Sequence, residues 1–128
     1  MKQKPTDGEL EILQLIWKRG PMTVRQIHDL LSKEKKTGYT TTLKMMQIMT
    51  EKGFLGRKEQ GRGHIYHSEV SEKKTTQNRL DSFIDATFGG SASRLVMQLL
   101  GSENTSEEEL KKIREVLDQY ENQKNKKS

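Results

Sequence analysis

TTTLKMMQIMTEKG (residues 40–53) runs directly into FLGRKEQGRGHIYHSE (residues 54–69), and how this junction is read decides the fold. In the first half Thr42, Met45, Met46 and Met49 recur at i, i+3, i+4 and i+7, the spacing of one helical face, and Gly53 supplies a stop. The pattern predicts a helix over Thr40–Lys52 with that stripe turned to a core. Methionines at core spacing read as packing, not as a soft-metal or oxidation sensor. In the second half, Phe54–Gln60 and His64–Glu69 are short and partly alternating. Gly61-Arg62-Gly63 joins them as a hairpin turn in which glycine takes a positive φ.

Upstream, two more helices open on capping boxes. Thr6 with Glu9 precedes Leu10, Leu13, Ile16 and Trp17, a stripe that ends at Gly20-Pro21 with Trp17 as its anchor. Thr23 with Gln26 precedes Val24, Ile27, Leu30 and Leu31, and the segment Lys33 to Gly38 breaks that helix. Met22, between them, reads as a short strand. Helix, short strand, helix, helix, hairpin is the order of a winged helix-turn-helix, in which the third helix enters the major groove and the wing grips phosphate.

Downstream of Ser71 the pattern is purely helical. Leu80, Phe83, Ile84 and Phe88 share one face before Gly89-Gly90-Ser91; Ala92, Leu95, Val96, Leu99 and Leu100 make a short apolar helix ending at Gly101. Ser106 and Glu109 cap a last helix whose Leu110, Ile113, Leu117 and Tyr120 follow the 3-4-3 spacing of a helix–helix seam. Three single-stripe helices cannot close a core alone, and a two-fold partner bringing the same helices would close it. Leu80, Phe83, Ile84, Leu95, Val96, Leu99, Leu110, Ile113, Leu117 and Tyr120 are therefore the candidate dimerisation residues. The expected fold is mainly α with a small β wing. It has a winged-helix DNA-binding domain at 1–70, a helical dimerisation domain at 71–122 and a flexible basic tail at 123–128.

Composition agrees with this division. Of 128 residues, 30% are hydrophobic and 32% charged, so each helix carries one apolar stripe rather than apolar residues all round. The net charge of +5 is unevenly spread: residues 36–67 hold six basic and two acidic side chains, and residues 68–121 hold seven basic and eleven acidic. A basic half followed by an acidic one separates a polyanion-binding part from a part that avoids the polyanion. The chain has no cysteine, which rules out disulfides, thiolate metal sites and thiol redox sensing. No apolar run approaches the roughly 18 residues of a membrane span, so a soluble, cytoplasmic protein is expected.

Thr40, Thr41, Lys44 and Gln47 lie off the core stripe of the third helix and offer donors and acceptors to base edges or phosphate. Leu43 either meets a thymine methyl or packs internally. Lys36, Tyr39, Arg57, Arg62 and His64 are the candidate phosphate and wing contacts. His64 and His67 have no third ligand at a supporting spacing, so neither a metal nor any other cofactor is expected. Paired carboxylates, a Ser/His/Asp set and a phosphate-cradling loop are all missing, which argues against an enzyme. The competing reading is a winged-helix protein-interaction module that never touches nucleic acid.

Glu9-Leu10-Glu11-Ile12, Gly20-Pro21-Met22-Thr23-Val24-Arg25-Gln26-Ile27, Tyr39-Thr40-Thr41, Glu51-Lys52-Gly53 and Gly61-Arg62 together resemble the penicillinase-repressor family, the BlaI/MecI/CopY group of winged-helix transcriptional repressors. Phe88-Gly89-Gly90-Ser91 followed by Leu95-Val96 resembles the dimerisation half of the same family. The resemblance implies a homodimeric repressor on a dyad-symmetric double-stranded operator, released by an inducing signal such as proteolysis, with a separate sensor or protease as further partner. Two departures limit the transfer. The copper-responsive members bind metal through Cys-X-Cys pairs, and this chain has none. The β-lactam-responsive members are cut at an Asn-Phe bond in the dimerisation half, whereas Ser91 to Gly101 contains neither residue.

Overall fold

The computed structural model describes residues 4–103 and 105–127; the first three residues of the expected 1–70 domain and Ser128 of the expected tail lie outside them. The elements are α1 (Asp7–Arg19), α2 (Val24–Leu31), α3 (Tyr39–Glu51), β1 (Leu55–Gln60), β2 (Gly63–Ser68), α4 (Glu72–Phe88), α5 (Ala92–Leu100) and α6 (Glu107–Lys127). Both expected capping boxes close. Thr6 Oγ1 accepts from the Glu9 N–H at 3.2 Å while Glu9 Oε1 accepts from the Thr6 N–H at 2.9 Å. Thr23 and Gln26 repeat the arrangement with the same two distances, 3.2 and 2.9 Å.

The core of the first unit draws on its first three helices, the bridge residue and the hairpin: Ile12, Leu13 and Ile16 of α1, the bridge residue Met22, Val24 and Ile27 of α2, Met46 and Met49 of α3, Phe54 just before the hairpin, Leu55 of β1 and Tyr66 of β2. On α1 the stripe is centred on Ile12, fully buried, and not on Leu10. Trp17 is only half-buried, because its indole N–H reaches Ser68 Oγ at 3.0 Å and the Val70 carbonyl at 3.2 Å. It packs against the core and at the same time ties α1 to the chain leaving β2. Met22 forms a one-residue bridge to Tyr66, donating to the Tyr66 carbonyl at 3.0 Å and accepting from its N–H at 2.8 Å.

β1 and β2 pair antiparallel with Gln60 opposite Gly63, so the connection is two residues long, Gly61-Arg62. Only Gly61 takes a positive φ, of 62°, the pattern of a type II′ turn. Gly63, expected in the turn, is the first residue of β2.

The chain divides into two compact units, Met1–Arg79 and Leu80–Ser128. The first extends past the boundary at residue 70 expected from the sequence, and two side chains of α4 account for this. Thr75 is buried, and Arg79 donates to the Pro5 carbonyl at 3.1 Å and to Asp7 Oδ1 at 2.7 Å.

In the second unit no side chain among the described residues is buried. Leu80, Phe83, Val96, Leu99, Leu110, Leu117 and Tyr120 are exposed, and Ile84, Leu95 and Ile113 half-buried. α6 runs through to Lys127, across most of the segment expected as a tail; nothing after Gly101 is glycine or proline, and lysines at a helix C-terminus complement its dipole. No helix of the described residues is long and apolar enough to cross a membrane.

Candidate nucleic-acid interface

α3 packs against α1, α2 and β1, which fixes the face it turns away from the core. Thr42, Met46 and Met49 point inward and Met45 is half-buried, as the spacing required. Thr40, Thr41, Lys44 and Gln47 are exposed, with Ile48 beside them at 38% exposure. Leu43 is half-buried and packs against the core, so internal packing accounts for it and a thymine contact is not needed.

The start of α3 differs from the starts of α1 and α2. Its N-cap is Gly38, with no side-chain hydrogen bond and no acidic residue in the first turn. The first N–H groups of α3 are thus left to solvent or to an incoming acceptor, the arrangement that favours an anion.

Tyr39, the first residue of α3, is held by two side chains of α2 that the sequence reading did not single out. The Arg25 guanidinium carbon lies 4.4 Å from the Tyr39 ring centroid, and the His28 ring meets Tyr39 edge-on at 5.5 Å and 81°. Arg25 and His28 stand three residues apart on one helical face, so both reach the same ring. Arg25 lay inside the family-like motif, but nothing in its spacing pointed to an aromatic ring fourteen residues on.

The cations sort by whether a carboxylate already holds them. Lys35 pairs with Glu11 at 2.7 Å, which raises its pKa, and Lys52 pairs with Glu9 at 2.9 Å. Burial alone would push the Glu9 carboxyl up, but the Thr6 N–H and the Lys52 ammonium together hold it below the ordinary carboxylate value. Arg25, Lys36, Lys44, Arg57, Lys58 and Arg62 are exposed and make no ion pair among the described residues. Of these, Arg25 reaches the first residue of α3, Lys36 precedes α3 by three residues, Lys44 lies on it, and Arg57, Lys58 and Arg62 lie on the hairpin; Lys18, Arg19 and Lys33 are likewise exposed and unpaired among the described residues.

On the hairpin, register separates the charges. Arg57 pairs with Tyr66 and Glu59 with His64, so Arg57 and His64 share the side on which Leu55 and Tyr66 enter the core; Lys58, opposite Ile65, lies on the other. Lys58 is a wing cation the sequence reading passed over. His64 and His67 project to opposite faces, and His67 instead meets Glu69 at 2.6 Å.

The profile of the Penicillinase repressor family matches residues 5–119. The chain belongs to the penicillinase-repressor family. Among its relatives in this family, the penicillinase repressor of Bacillus licheniformis is 26% identical over 126 residues, covering 97% of this chain and 98% of its own. The methicillin resistance regulatory protein MecI of Staphylococcus aureus strain N315 is 23% identical over 112 residues, covering 88% and 91%. Two solution structures share the fold. One is the Bacillus licheniformis BlaI monomeric form in complex with the blaP half-operator, with TM-score 0.50, 26% identity, and coverage of 57% of this chain and 89% of that one. The other is the DNA-binding domain of the repressor BlaI, with TM-score 0.50, 30% identity, and coverage of 56% and 90%.

Proposed function

We propose that this member of the family is a homodimeric transcriptional repressor. It binds double-stranded operator DNA with dyad symmetry, one α3 per half-site, and blocks transcription until an inducing signal removes it. The observation that carries this is the pairing of an exposed polar α3 face, Thr40, Thr41, Lys44 and Gln47, with the unpaired cations Lys36, Arg57 and Arg62 in a basic segment. Hydroxyls and an amide on a groove-sized helix suit base edges, and free cations beside it suit phosphate. His64, half-buried and on the same hairpin face as Arg57, belongs to this wing set. The BlaI relative bound as a monomer to a half-operator supports assigning one half-site to one protomer.

Dimerisation accounts for the second unit. Leu80, Phe83, Val96, Leu99, Leu110, Leu117 and Tyr120 are exposed apolar or aromatic side chains in a unit that buries no side chain among the described residues. Each is already partly covered, so a partner that buries the rest adds about half of the roughly 1.5–3 kcal/mol of a full burial, and a second copy presents the same surface by symmetry. Such a repressor works in the cytoplasm, where bacterial DNA is, and its release falls to a separate sensor or protease.

A gel shift at moderate salt with the DNA upstream of the chain's own gene tests the reading. A retarded complex that unlabelled scrambled DNA fails to compete away is expected. Absence of any complex would leave the protein-interaction module as the better account.

A further inference from the structure

The geometry points to Arg25 as a DNA-backbone contact that acts from α2, with the Tyr39 ring as the platform that aims it. This rests on the operator-binding reading and adds to it a residue and a division of labour. Tyr39 entered the candidate site as a phosphate contact in its own right; its ring is better placed to hold a guanidinium than to reach outward.

Three observations carry the assignment. First, Arg25 is exposed and makes no ion pair among the described residues, and its guanidinium carbon lies over the Tyr39 ring at 4.4 Å from the centroid. A guanidinium held over a ring in this way keeps the N–H donors that point away from the ring available, and that fork matches a phosphate. Second, Arg25 is the second residue of α2 and Tyr39 the first of α3, so the stacked pair stands where the first helix of a helix-turn-helix meets the start of the second. In that motif the first helix crosses the DNA backbone while the start of the second meets base edges. Third, the platform is itself fixed: the ring of His28, one turn further along α2, packs edge-on against Tyr39, and His28 Nδ1 lies 3.4 Å from Thr42 Oγ1 on α3. Holding Arg25 in one rotamer before DNA arrives removes part of the ordering cost of the contact.

A merely structural stack, pinning α2 to α3, would give the same picture in the free protein, and salt dependence tells the two apart. The full-length chain is titrated into a labelled duplex taken from upstream of its own gene and into a scrambled duplex of equal length, from about 0.05 to 0.2 M salt. Arg25→Ala is expected to weaken both duplexes by a similar factor, about tenfold near 0.1 M salt, and to lower the salt slope by about one per bound protomer. Arg25→Lys should keep the slope and recover only part of the affinity, because the charge remains and the stacked fork does not. Tyr39→Leu should weaken binding about two- to fivefold but add little in the Arg25→Ala background, and Tyr39→Phe should recover what Tyr39→Leu loses.

An Arg25→Ala protein with a lower Tm and an unchanged salt slope would overturn the proposal in favour of simple packing. A Tyr39→Phe protein as weak as Tyr39→Leu would overturn it in favour of a direct contact by the phenol. A backbone contact is read on scrambled DNA as well. If the upstream duplex shows no preference while Arg25→Ala still loses a unit of slope, the operator reading fails and this one stands.

Discussion

Glu9, at the third position of α1, closes the capping box with Thr6 and also accepts from Lys52 Nζ at 2.9 and 3.2 Å, joining the start of α1 to the end of α3. A glutamine there can still close the box, as Gln26 does on α2, so Glu9→Gln isolates the ion pair. We expect it to destabilise the first unit by about 1–2 kcal/mol at pH 7, measured by urea unfolding. The pH dependence has a definite sign. The Glu9 carboxyl is held below its ordinary value of 4.5, so its contribution is fully present above pH 4.5 and is lost as the pH falls through the folded-state value. Wild type and Glu9→Gln should therefore converge in acid, and a gap as wide at pH 3 as at pH 7 would contradict the pairing. Both partners were visible in the sequence, as parts of Glu9-Leu10-Glu11-Ile12 and Glu51-Lys52-Gly53. Their meeting was not, because a contact across forty-three residues leaves no local pattern. Arg25 and Tyr39 escaped for the same reason.

For single elements, periodicity gave reliable faces and less reliable ends. The α3 stripe of Thr42, Met46 and Met49 is where the 3.6-residue repeat put it, yet α3 starts at Tyr39 because Gly38 serves as cap without a side chain to announce it. On the hairpin, counting in twos would have placed His64 and His67 on opposite faces from the start and Lys58 opposite Arg57. Whether Leu43 faced DNA or the interior was not legible at all, since its position on the helix borders both. The division of roles between elements is testable. Lys44→Ala, on the exposed polar side of α3, should lower affinity and alter base preference in a selection from randomised duplexes. Arg62→Ala, at the wing tip, should weaken every sequence alike and reduce the salt slope by about one per protomer. If neither substitution moved binding, α3 and the wing would not be the interface.

Across the whole molecule, the two units differ in what they complete by themselves. The first buries side chains from three helices, a bridge residue and a hairpin; the second leaves Leu117 at 55% and Tyr120 at 63% exposure on α6. The sequence signalled this through the 3-4-3 spacing of Leu110, Ile113, Leu117 and Tyr120, a seam lacking a second side. Leu117→Asp would place a charge in that seam. Light scattering after gel filtration should then report the mass of a single chain where the wild type gives two, and operator affinity should fall because the two half-sites are no longer read together. An unchanged dimer would remove α6 from the interface. The central claim, a symmetric reader built from two winged helices, is tested most directly by footprinting the wild-type protein on the DNA upstream of its own gene at about 0.15 M salt, a physiological ionic strength. The account predicts protection of an inverted repeat, its two halves centred about 10 base pairs apart or a multiple of that. No protected repeat, or a single unpaired half-site at saturating protein, would contradict it.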